Sequence, residues 1–250
     1  MGNFYQNPPL IEALCEFQFE SGQPWDWTIP GLVYQKVKHE FPKKKQQNVI
    51  EMEARVEQDE FMPSIKKGGV ARLQFLREDE TALLQVGPNL FVVNHLKPYP
   101  TWSKFQKMIQ AGLAVYCEVA KPQALKRVSL RYINRLEIPQ PQVEIEDYIL
   151  AVPKIPTPVP QVFATWIQRV EIPFESSNGL MVIQSGLVQP HNPKTIVFLL
   201  DLDFMTIDIQ KINLDNVMDW ITQAHDDVEK SFEACVTDKM RALMKEVRND

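Results

Sequence analysis

Hydrophobic and polar positions alternate without a break through KRVSLRYINRLEIP, residues 126–139. One face reads Val128, Leu130, Tyr132, Asn134, Leu136 and Ile138, the other Arg127, Ser129, Arg131, Ile133, Arg135 and Glu137. A period of two predicts a strand, and it stands Arg127, Arg131 and Arg135 in a row at roughly 13 Å spacing. An earlier alternation sets Ile11, Ala13, Cys15, Phe17 and Phe19 against Glu12, Leu14, Glu16, Gln18 and Glu20, a first strand with one apolar and one largely acidic face. Residues 25–30 form a turn, and Pro30 suits the first helical position, where its missing N–H would have no intrahelical partner. Leu32, Val33, Val37 and Phe41 then give a short helix that Pro42 ends. Lys43, Lys44 and Lys45 read as a solvated loop, 49–56 as a strand, and 58–69 as an exposed loop closing on Gly68-Gly69.

A meander follows over 70–77, 81–86 and 90–96, with turns at Glu78-Asp79-Glu80 and Gly87-Pro88-Asn89. Thr101 is placed to cap a helix in which Trp102, Phe105, Ile109, Gly112, Leu113 and Tyr116 recur at helical spacing, until Lys121-Pro122 stops it. After the arginine strand the order of elements repeats. Residues 143–151 read as a short amphipathic helix between proline-rich segments, the later one being PKIPTPVP, a stiff connector. A second meander covers 162–174, 180–189 and 195–207, with turns at 176–179 and 190–193. Asn213 is placed to cap a long helix with Val217, Ile221, Ala224, Val228, Phe232 and Cys235 as its buried stripe, and Thr237-Asp238 opens a terminal helix over 239–247.

These elements predict an α+β protein of antiparallel sheets with helices packed on one face. It is expected to comprise two pseudo-repeated halves, each strand-helix-meander-helix, over 1–122 and 123–250, joined in one compact unit. The face that the helices leave bare is where function is to be sought. Composition alters this picture little: 44% hydrophobic and 24% charged residues are ordinary for a globular chain. A net charge of -5 argues against general binding of a phosphate backbone, which needs a strongly basic face. Cys15, Cys117 and Cys235 are far apart within apolar patterns and include no CxxC pair, so they read as reduced core residues of a cytoplasmic protein. No apolar run approaches about 18 residues, and MGNFYQNPPL lacks the basic and apolar segments of an export signal. Neither secretion nor a membrane span is expected, and Gln6 argues against myristoylation at Met1-Gly2.

The candidate chemistry centres on the arginine row. Its intramolecular complement is LLDLDF, which sets Asp201 and Asp203 on the face opposite Leu200, Leu202 and Phe204; Glu12 and Glu16 are a second complement. A structural ladder of Arg127, Arg131 and Arg135 against Asp201 and Asp203 is the first reading, with Arg127 and Arg135 rather than Arg131 the members expected to be left free. The other is a groove for an acidic peptide, a phosphate or nucleic acid. Asn134, polar on the apolar face, needs a hydrogen-bond partner there. His225 and Glu229 stand one turn apart without a recognisable third metal ligand, which suits a surface or helix-packing histidine. Asp201, Asp203 and Asp208 raise a divalent-cation reading that lacks a phosphate-cradling glycine loop. His39, His95 and His191 have no neighbours that suggest catalysis, and no nucleophile elbow, Cys/His pair or Walker motif occurs. Trp25 and Trp27, flanking Asp26 in a loop, are candidate anchors for a protein partner.

NPPLIEALCEFQF (7–19), TIPGL (28–32), LRYINRLEIP (130–139), LLDLDF (199–204) and AHDDVEKSFEACVTD (224–238) together resemble a sporadically distributed, uncharacterised bacterial family of proteins of about this length. The resemblance spans nearly the whole chain in order and carries over no catalytic residue. A patchy distribution implies accessory or defence-linked genes. The expected function is therefore a non-catalytic interaction or adaptor module that binds another protein, without cofactor or metal. Nucleic-acid or nucleotide binding through Arg127, Arg131 and Arg135 is the alternative, and a metal-dependent hydrolase is the second.

Overall fold

The computed structural model describes residues 4–20, 24–57, 60–190 and 192–247, with the backbone alone at 4, 48–57, 60–71 and 247. Met1-Gly2 and His191 lie outside the described residues. In chain order the elements are β1 (Phe4–Tyr5), β2 (Leu10–Phe19), α1 (Ile29–Val37), β3 (Lys43–Glu57), β4 (Glu60–Leu76), β5 (Ala82–Gly87), β6 (Leu90–Leu96), α2 (Trp102–Ala120), β7 (Leu125–Ile138), β8 (Ile167–Phe174), β9 (Gly179–Val188), β10 (Ile196–Thr206), α3 (Val217–Cys235), α4 (Asp238–Met244) and β11 (Glu246–Val247). Each of the two longest alternating stretches is one strand, β2 and β7. The helical repeats become α2 and α3, and Thr101 and Thr237 cap α2 and α4 by accepting from Lys104 N and Met240 N.

The chain forms two compact units, one of Met1–Cys15, Leu96–Tyr99 and Arg127–Asp250, the other of Glu16–His95 and Pro100–Lys126. In the first unit the hydrogen-bonded order is β2-β7-β10-β9-β8, and in the second β3-β4-β5-β6-β2, with β2 contributing 10–15 to one and 16–19 to the other. β7 and β10 run antiparallel in a register that sets Leu130 opposite Phe204, Arg131 opposite Asp203 and Asn134 opposite Leu200. β10, β9 and β8 continue antiparallel. A separate pair, β1 with β11, also belongs to the first unit.

The core of the first unit lies between α3 and one face of β7 and β10. Val128, Leu130, Leu136 and Ile138 meet Phe198, Leu200, Leu202 and Phe204 there, under Val217, Ile221, Ala224 and Val228 of the helix, all buried. The ring of Phe204 stacks on Trp220 at 5.8 Å and meets Phe174 edge-on at 5.6 Å. In the second unit Phe19 and Phe91 stack on Tyr116 of α2 at 4.9 and 5.1 Å. Gly112 lets that helix approach, since a Cβ there would stand 3.0 Å from the Phe91 ring. Burying such rings supplies roughly 1.5–3 kcal/mol each, which is why the apolar faces and not the local propensities decide the packing.

Several expectations are corrected. Residues 60–69 are not a loop but part of β4, paired with β3 from Lys43↔Leu76 to Glu57↔Glu60. The register shifts between Asn48↔Val70 and Ile50↔Lys67, so Gly68-Gly69 mark a bulge inside the ladder. The lysine run opens β3 rather than a solvated loop: Lys45 Nζ lies 2.9 Å from Glu80, and Lys44 Nζ lies 4.5 Å from the centre of the Tyr34 ring. Residues 143–151 hold only a 3-10 turn at Ile145–Asp147, because nine residues confined by prolines do not repay helix nucleation. β8 begins at Ile167, not 162. Asn213 does not cap α3: its Oδ1 accepts from Asp215 N and Asn216 N in a turn ahead of the helix, and Asn216 is the N-cap. With no helix between β7 and β8, and with the β3–β4 hairpin in the first half, the expected repeat of element order is not confirmed. No helix among the described residues is long and apolar enough to cross a membrane.

Candidate functional site

The face of β7 and β10 turned away from α3 carries Arg127, Arg131, Arg135, Asp201 and Asp203. Arg131 Nε donates to Asp201 Oδ1 at 2.8 Å and its Nη2 donates to Oδ2, a planar two-point clamp. The clamp is diagonal, since the residue directly across from Arg131 is Asp203. Gln184 of β9 also donates to Asp201, at 3.3 Å. The bond to Asp201 raises the Arg131 pKa against the cost of burial, and the charges of Asp201, Asp203 and Glu12 add to it. Arg135 turns instead to Glu137 on its own strand, at 2.7 Å. Arg127 is half-buried. The structure therefore joins Arg131 with Asp201 but does not draw Arg135 into the same cluster. Asn134 donates to the carbonyls of Leu200 at 3.2 Å and Tyr132 at 3.5 Å, the backbone partners its burial requires.

A second polar group lies on the helix side of β7, where pattern reading places only packing. Tyr99 and Tyr132 share a hydrogen bond at 3.3 Å, Tyr132 Oη meets His225 Nδ1 at 2.9 Å, and His225 Nε2 lies 3.3 Å from Glu229. Burial pushes the His225 pKa down to about 4, opposed by the nearby Asp226 charge. Burial also raises the Tyr99, Tyr132 and Glu229 pKa values. A neutral imidazole that accepts from Tyr132 at Nδ1 donates from Nε2 toward Glu229, and this assignment uses both ring nitrogens. His225 is thus a satisfied packing histidine, as its position on the helix suggests. Tyr99 and Tyr132 go unnoticed in the sequence because nothing local marks their partners.

The His225 group makes stability pH-dependent. Its folded pKa is depressed, so the unfolded chain binds the proton more readily, and stability present above pH 6.5 falls as pH drops toward 4. Glu229, with a raised pKa, opposes this in the acid range. The expected loss between pH 7 and pH 4.5 is about 2 kcal/mol more for the native chain than for His225→Gln, read as the difference in urea unfolding free energies. An NMR titration placing the folded-state His225 pKa at or above 6.5 would remove the basis for this difference.

The third feature is the loop before α1. Asp26 Oδ1 accepts from Thr28 N and Thr28 Oγ1, both at 2.8 Å, and these bonds lower its pKa. The Asp26 carbonyl accepts from Ile29 N at 3.1 Å. This fixes the loop between two tryptophans whose rings meet at right angles 6.3 Å apart. Trp25 is half-buried, whereas Trp27 is 56% exposed, and so is Leu32 of α1 at 53%.

Among the described residues no three His, Cys, Asp or Glu side chains converge as metal ligands. Asp201 is held by Arg131, and Asp208 instead caps the turn after β10 by accepting from Gln210 N at 3.1 Å. Cys15, Cys117 and Cys235 are free thiols, the first and last buried and Cys117 half-buried. Burial raises the pKa of Cys117, and that of Cys235 to about 11. Compared with known proteins, the chain matches no family model and no curated protein.

Proposed function

We propose that the chain is a non-catalytic protein-interaction module, an adaptor in an accessory or defence-linked bacterial operon, with Trp27 and Leu32 as its anchors. The observation that carries this reading is an exposed indole on a loop held by the Asp26–Thr28 turn. A large ring presented on a hydrogen-bonded loop gains contact area on binding with less backbone entropy to lose, which is why such side chains dominate protein interfaces. The arginine face is the poorer basis for a nucleic-acid partner. A phosphate approaching Arg131 has to compete with both oxygens of Asp201. Retention of RNA or DNA that falls steeply with salt would favour that alternative.

The test places a photo-crosslinking amino acid at position 27 in the native host. One stoichiometric protein partner is expected, with Trp27→Ala weakening its binding by about 30-fold. Recovery of no stoichiometric partner under several growth conditions would overturn the reading.

A further inference from the structure

We propose that β8 is the contact through which two copies of this chain associate, edge to edge and antiparallel, about a twofold axis at Val170. β8 is the last strand of its ladder, so one of its edges bonds to β9 and the other, among the described residues, has no strand beside it. The bond from Leu187 N to the Trp166 carbonyl, with the unshifted register Ile167↔Gly186 to Phe174↔Gly179, tells the two edges apart. Residues 168, 170 and 172 direct their N–H and C=O groups at β9; Ile167, Arg169 and Glu171 direct theirs outward. Pro173 belongs to the outward set, where its lack of an N–H costs β9 no bond.

Side-chain character makes this edge unlike a protected one. Ile167 is 85% exposed, Val170 44% and Ile172 38%. Arg169 and Glu171 pair with each other, at 2.9 and 2.7 Å along their own strand. β3, the first strand in the second unit's order, opens instead on Lys43, Lys44 and Lys45, the kind of charge that keeps edges apart.

Three antiparallel alignments bring outward residues of two copies together near the middle of β8. Centring on Arg169 opposes arginine to arginine. Centring on Glu171 opposes glutamate to glutamate and sets Arg169 against Pro173, which cannot return a bond. Centring on Val170 opposes Arg169 of each copy to Glu171 of the other, and Ile167 to Pro173, which there needs only its carbonyl. This alignment alone places opposite charges in both central pairs, and it stacks Val170 beside its own copy. The occupant of the edge is therefore a second copy of this chain. The contact lies in the first unit and makes no use of Trp27, so failure of either proposal leaves the other standing.

Sedimentation velocity supplies the test. The native chain is expected to double its mass as its concentration reaches the order of 100 µM, in keeping with a small interface. Arg169→Glu and Glu171→Arg should each stay at single-chain mass, because both create like-charge pairs across the axis. Mixing these two variants should restore the doubled mass, since Glu then faces Arg at every central pair. Val170→Cys should form a disulfide-linked dimer under mild oxidation, because directly opposed non-hydrogen-bonded residues lie about 4.5 Å apart at Cα. Ile172→Cys, opposite Gln168, should not. Circular dichroism confirms that each variant is folded. A native chain at single-chain mass at every concentration overturns the proposal. So does a dimer indifferent to both charge reversals, or a mixture of folded variants that fails to associate.

Discussion

Phe204→Ala is expected to destabilise the protein by about 4 kcal/mol, the middle of the range for truncating a fully buried ring. Phe204 has no exposed surface, stacks on Trp220 and meets Phe174 edge-on, so its removal leaves a cavity among aromatic groups that cannot collapse into it. Trp220 is itself fixed, donating from its indole nitrogen to the Ser177 carbonyl at 3.0 Å. The pocket for Phe204 is completed by a missing side chain: a Cβ on Gly179 would come within 2.0 Å of the ring. Gly179→Ala should therefore also destabilise, by about 1–3 kcal/mol through overpacking. Combined with Phe204→Leu, whose smaller side chain leaves room for the added methyl, it should cost less than the two single changes added together. Urea unfolding followed by circular dichroism measures all of these. A loss under about 1 kcal/mol for Phe204→Ala would mean that α3 does not pack on β10 in this way.

Features of this fold that depend on neighbours in sequence were legible in advance. The alternation of β2 and β7, the turn at Gly87-Pro88-Asn89 and the caps at Thr101 and Thr237 are each written within a single element or turn. The failures have a common physical origin. Gly68-Gly69 look like a loop because glycine pairs favour one, yet the strand opposite supplies the hydrogen bonds and the pair becomes a bulge. Residues 143–151 carry an amphipathic pattern, but Ile149 bridges Val236 and Leu150 N donates to the Cys235 carbonyl, so contacts distant in sequence hold the end of the segment in another conformation. The candidate site shows the same limit. The acidic complement of the arginine row was recognisable in LLDLDF, whereas the choice of Asp201 over Asp203 depends on the lean of side chains across two strands. The pairing of Tyr132 with His225, 93 residues apart, leaves no local trace.

Arg131→Ala is expected to cost about 3 kcal/mol, and Asp201→Ala measurably less. The asymmetry follows from burial. The Asp201 side chain is only 13% exposed, and removing Arg131 leaves it a buried carboxylate that has lost its two-point clamp and keeps the longer 3.3 Å bond from Gln184 Nε2. Removing Asp201 leaves a guanidinium that is 35% exposed and stands directly across from Asp203, with the Glu12 charge also acting on it. Asp201→Asn should cost less than Asp201→Ala, keeping the shape and one acceptor while losing the charge. The double change Arg131→Met with Asp201→Leu should recover much of the loss, since two apolar side chains of similar volume need no mutual compensation. A coupling of about 1.5 kcal/mol or more between the two positions in a double-mutant cycle is the expected signature of a pair that builds the sheet. If Asp201→Ala were instead neutral and the variant gained salt-sensitive affinity for polyanions, Arg131 would be a ligand-binding residue that Asp201 holds in check.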